Sequence, residues 1–114
     1  MLGKLMNSYE LFQKIEKRPE MYLGRCSIYD LKAFHDGYIT AKQELRATFT
    51  EEDEDFTGFH DWLENRLNVK SNGSWEKMLV FRSKNERKAL DLFFKLLDEY
   101  IKRDKDLGVE PRSM

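Results

Sequence analysis

Lys84-Asn85-Glu86-Arg87-Lys88-Ala89-Leu90-Asp91-Leu92-Phe93-Phe94-Lys95-Leu96-Leu97-Asp98-Glu99-Tyr100-Ile101-Lys102-Arg103 decides the fold class. Leu90, Phe93, Phe94, Leu97, Tyr100 and Ile101 recur at the spacing that keeps side chains on one side of an α-helix. Ser83 and Glu86 make the Ser-x-x-Glu pattern of a capping box, and basic residues near the far end suit the negative pole of the helix. The spacing predicts a helix from about Lys84 to Arg103 with a wide buried stripe.

A second helix is expected from about Ile28 to Ala47, capped by Ser27 with Asp30 three positions on. Ile28, Leu31, Phe34, Tyr38, Ala41 and Leu45 step by 3, 3, 4, 3 and 4 along it. Gly37 interrupts that pattern and suggests the close approach of another helix. A shorter helix from about Ser8 to Lys17 should begin at Asn7, with Glu10 completing its cap, and stop at Pro19. Phe59 to Leu67 reads as another, with Phe59, Trp62, Leu63 and Leu67 inward. Ser71-Asn72-Gly73-Ser74 is a turn signal. The apolar run Met78-Leu79-Val80-Phe81 fits strand or helix, and with no partner strand in sight helix is preferred.

Prolines are confined to Pro19 and Pro111, which leaves long uninterrupted segments. The expected architecture is all-α: one helical domain over residues 1–105, a bundle of about five helices, and a loose tail over 106–114.

The chain has 114 residues, 40% of them hydrophobic, with 20 basic and 21 acidic side chains. That balance lacks the basic excess through which nucleic-acid binders neutralise phosphates, so nucleic acid is not expected as a partner. A lone cysteine, Cys26, excludes an intramolecular disulfide and a cysteine metal cage. No apolar run approaches the roughly 20 residues that span a bilayer, and Met1–Met6 does not resemble a signal peptide. A cytoplasmic address without membrane contact is expected.

No catalytic machinery emerges. His35-Asp36 and His60-Asp61 are both His-Asp pairs, but neighbouring helical residues point about 100° apart and should not converge. No metal site, cofactor or phosphate loop is expected. Cys26 fits a small buried hydrophobe better than a nucleophile. The strongest signal is charge: Glu51-Glu52-Asp53-Glu54-Asp55 is five acids in a row, expected as an interhelical loop. Asp61 and Glu64 would extend it into an acidic surface able to attract a basic protein partner.

Arg18-Pro19-Glu20-Met21-Tyr22-Leu23-Gly24 has two echoes. It resembles a stretch in the ATPase domain of type II topoisomerases, but the acidic–asparagine motif and glycine-rich lid of that family are missing, so ATP binding is not expected. Taken with Ser27-Ile28-Tyr29-Asp30-Leu31-Lys32-Ala33-Phe34, Gly37-Tyr38, Ser74-Trp75 and Ala89 to Tyr100, it resembles small bacterial proteins found beside polymorphic and contact-dependent toxins. Glu20 stands where that family tends to show glycine. The resemblance implies an immunity protein that blocks a cognate toxin stoichiometrically, the acidic residues meeting a basic cleft and Phe56 or Phe59 anchoring the contact. Without it, a regulatory or structural interaction module, homodimeric or not, is the alternative. On either reading, Arg18, Pro19, Met21, Tyr22, Leu23 and Gly24 are expected to form a structural corner whose apolar residues plug the core. The sequence names neither the toxin nor the oligomeric state.

Overall fold

The computed structural model of the chain describes residues 5–71 and 73–107, with side chains as far as Arg103. Among these residues every regular element is helical. They are α1 Ser8–Lys17, α2 Pro19–Leu23, α3 Ile28–Glu44, α4 Glu51–Phe56, α5 Phe59–Leu67, α6 Trp75–Ser83 and α7 Glu86–Leu107. The all-α expectation holds, and residues 75–81 are helix. The two helices beyond the expected five are the short ones, α2 and α4.

α1 starts as its sequence dictates. The Asn7 side chain accepts from the Glu10 amide at 2.9 Å, and Glu10 accepts from the Asn7 amide at 3.0 Å, so two otherwise orphaned donors are satisfied together. Pro19 does stop α1, but its fixed φ also suits a first helical position, and the chain turns at once into α2. Gly24 ends that turn at φ 71°, a left-handed conformation that glycine adopts without cost. The corner plugs the core only in part: Leu23 is buried and Tyr22 meets Phe34 edge-on at 6.0 Å, whereas Met21 is 64% exposed. A single helical turn has one inward side, and Leu23 occupies it.

α3 is capped by Ser27, which accepts from the Tyr29 amide at 3.1 Å. The helix ends at Glu44 rather than Ala47, and Arg46 takes φ 56° just beyond. Its apolar stripe is buried at Ile28 and Leu31, but Ala41 and Leu45 face solvent, while His35 and Lys42 are buried instead. Gly37 is exposed, and a Cβ placed there would meet nothing within 4 Å, so no helix approaches it.

α7 packs along α6 and α3. Ser83 does not cap it, because α6 runs through Ser83 and stops at Lys84, φ 62°. The Asn85 side chain accepts from the Lys88 amide at 2.8 Å in its place. The helix passes Asp106 and ends at Leu107, so the expected tail is shorter at its start; residues 108–114 lie outside those described.

The core is unusually aromatic. Phe93 stacks on Trp75 at 4.7 Å and meets Phe12 edge-on at 5.1 Å, while Phe56 stacks on Phe59 at 5.3 Å. Each such pair adds about 0.5–1.5 kcal/mol beyond the area it buries. These rings join α1, α4, α5, α6 and α7 around one centre, and α4 is held by it.

Candidate partner-binding surface

The five-acid run is a helix, not a loop, and that difference reorganises its chemistry. Thr50 and Asp53 form a reciprocal cap: Thr50 Oγ1 accepts from the Asp53 amide at 3.3 Å, and Asp53 Oδ2 accepts from the Thr50 amide at 2.9 Å. Once helical, the segment turns Asp53 and Phe56 to the same inward side, three residues apart.

Asp53 is therefore not part of the surface. Its Oδ2 accepts from Lys42 Nζ at 3.0 Å, and its Oδ1 accepts from the Ser8 amide at 2.8 Å and from Ser8 Oγ at 3.1 Å. Burial alone would raise its pKa. The amides of Thr50 and Ser8 and the Lys42 ammonium outweigh that and hold it below the ordinary carboxylate range.

Asp55 is also occupied internally. It accepts from Tyr9 Oη at 2.5 Å and from Arg103 Nη2 at 2.8 Å, and its carbonyl accepts from the Tyr100 hydroxyl. Burial, reinforced by the bond to Asp55, pushes the Tyr9 phenol well above its ordinary value.

Glu51, Glu52, Glu54 and Asp61 remain exposed, and none of them forms an ion pair among the described residues. The stretch from Thr50 to Asn65 contains no lysine or arginine. Glu64 is half-buried. It pairs with His60 at 3.4 Å and accepts from the Ser71 amide at 3.0 Å. Against the expected divergence, the ligand atoms of His60, Asp61 and Glu64 all lie within 4.8 Å of one another. One helical turn aligns His60 with Glu64, and the side-chain ends close the gap that the backbone opens at Asp61. Phe56 and Phe59 cannot anchor a partner, being 7% and 0% exposed. The aromatic that does reach solvent beside the acids is Phe49, 38% exposed.

A cleft of about 460 Å³ beside α4 reaches Ser8, His35 and Asp53. These three residues have the composition of a hydrolase triad but the wrong order. The carboxylate can only accept, so the Ser8 hydroxyl donates to Asp53 and accepts from His35 Nε2 at 2.8 Å. His35 thus carries the proton on Nε2 and is no base towards Ser8, which is itself 1% exposed. Burial between Phe12 and Phe56 lowers the His35 pKa to about 4, so the ring is neutral at pH 7. The cluster links α1, α3 and α4.

No protein-family model, curated protein or solved structure matches the chain. The surface therefore has to be read from its own chemistry. Sequence reasoning did not bring together Ser8, His35 and Lys42, the polar residues that α4 covers. One signal was present: Thr50-Glu51-Glu52-Asp53 is itself a Thr-x-x-Asp cap, the mark of a helix start.

Proposed function

We propose that the chain is a non-catalytic binding protein of the cytoplasm that neutralises a basic partner by covering its surface, in the manner of an immunity protein against a cognate toxin. The observation that carries this reading is the exposure of Glu51, Glu52, Glu54 and Asp61 on two consecutive helices, none of them in an ion pair among the described residues. Uncompensated carboxylates on a rigid scaffold create a directed negative potential, which speeds encounter with a basic surface and selects against acidic ones. A toxin cleft that binds phosphates would present that basic surface. The resemblance around Arg18–Gly24 supports the toxin as the partner class, and no helix among the described residues is long and apolar enough to cross a membrane.

The test is association kinetics with any toxin domain found encoded beside this gene and shown to co-purify with the chain. Glu51→Ser, Glu52→Ser, Glu54→Ser and Asp61→Asn together are expected to slow association by on the order of 10-fold at low salt and to flatten its salt dependence. Asp53 and Asp55 stay unchanged, because their carboxylates hold helices together and altering them would destabilise the fold. An unchanged association rate removes the acidic surface from the function.

A further inference from the structure

The opposite charge collects around a separate cleft. The end of α5, the connection after it, and α6 enclose about 720 Å³. Its floor is apolar: Leu67 and Met78 are 9% and 5% exposed. Its walls are apolar and open: Val69 is 38% exposed and Phe81 77%. Lys70, Lys77, Arg82 and Lys84 line the same cleft. None of the four pairs with a carboxylate among the described residues, and no acid is among those lining it.

The sequence explains how the cleft arises. Met78, Leu79, Val80 and Phe81 are consecutive, and consecutive helical positions point in all directions, so the core cannot take all four. Met78 and Leu79 go inward, Val80 is half-buried, and Phe81 is left outside. Lys84 Nζ sits 5.4 Å from the Phe81 ring centroid, so the ring is flanked by positive charge while still presented to solvent. An open apolar surface rimmed by charge is the mark of a docking site.

We infer that this cleft receives an amphipathic helix of a partner protein, apolar on the side that meets Phe81 and Met78 and acidic along both edges. Charge complementarity selects the occupant: four lysines and arginines with no acid among them favour glutamates at the helix flanks, and the apolar floor requires hydrophobic residues between them. A second copy of this chain fits poorly. Its acidic helix α4 turns Phe56 into its own core and offers carboxylates without apolar residues. None of the acidic residues proposed above lines the cleft, so the two proposals are tested by different substitutions.

The full chain can be titrated calorimetrically with a synthetic helical peptide carrying leucine at i, i+3, i+4 and i+7 and glutamate on either side. Saturable, salt-weakened binding is expected. Phe81→Ser should weaken it at least about 10-fold without lowering Tm, since the ring is exposed, and Lys77→Glu should weaken it similarly. The Glu51, Glu52, Glu54 and Asp61 variant should bind the peptide as the parent does. Equal binding of the same peptide with alanine for leucine, or with lysine for glutamate, overturns the inference. So does self-association of the chain that Phe81→Ser abolishes, which would make a second copy the occupant.

Discussion

Lys42 Nζ lies 3.0 Å from Asp53 Oδ2, and both side chains are sealed from solvent, 0% and 3% exposed. This pair ties the end of α3 to the middle of α4, and further contacts complete it. Lys42 also donates to the Met6 carbonyl at 3.2 Å and lies 4.9 Å from the Phe49 ring centroid. Asp53 also holds the Ser8 amide at the start of α1. One buried carboxylate therefore joins three helices.

Removing one partner strands the other as a buried charge. Lys42→Met and Asp53→Asn are each expected to lower the unfolding free energy by about 3–5 kcal/mol. The double variant should recover a measurable part of that loss, because it leaves neither charge uncompensated. Urea denaturation of the four proteins checks this through the coupling energy. Losses below about 1 kcal/mol for either single change would show that the pair contributes little.

His35 and Asp53 make stability fall in acid, in two successive windows. His35 titrates near 6.5 when unfolded and about 4 when folded, so between those values the unfolded chain binds the extra proton. Stability is full above pH 6.5, declines as pH falls towards 4, and by pH 4.5 has lost about 2.5 kcal/mol from this residue. Asp53 has a lowered pKa, so its contribution is present above the ordinary carboxylate value and is lost only as pH falls through its folded pKa. Thermal melts between pH 7 and 4.5 should show the first decline, and His35→Gln should flatten it. An equally steep decline in that variant would assign the effect elsewhere.

The fold class was legible because α1, α5 and α7 carry their apolar residues at helical spacing, and long periodic stripes outweigh local ambiguity. The acidic run misled because five like charges suggest mutual repulsion and a solvated loop. Phe56 and the Thr50–Asp53 cap anchor that segment as helix, and Lys42 supplies the countercharge from 11 residues away. Likewise, Ala41 and Leu45 fit the stripe of α3, but the core ends before them and Lys42 lies under α4. Long-range pairing of this kind leaves no periodic trace. The exposed carboxylates could be named from the sequence as a group; which of the seven remain outside required the helix phase.

Two glycines provide opposite tests of packing. Gly37 lies exposed within α3 with open space where a Cβ would stand, so Gly37→Ala should stabilise by up to about 1 kcal/mol through helix propensity alone. Had a helix crossed there, the same change would destabilise. Thermal melting distinguishes the two signs.

Gly58 precedes α5, and its backbone is ordinary, φ −87°. Its constraint is space: a Cβ there would stand 2.8 Å from the Tyr100 hydroxyl. That hydroxyl has little room to retreat, because Tyr100 is 2% exposed, its ring is edge-on to Phe59 at 5.4 Å, and the Arg103 guanidinium lies 3.7 Å from the ring centroid on its face. Its bond to the Asp55 carbonyl would also have to break or bend. Gly58→Ala is therefore expected to cost about 1–3 kcal/mol, the range for forcing extra atoms into a packed site. Gly58→Ala combined with Tyr100→Phe removes the clashing oxygen, so the alanine should then cost much less than it does alone. Denaturation of the four proteins decides it: an alanine penalty of the same size with Phe at position 100 would mean that the space at Gly58 is limited by something other than Tyr100.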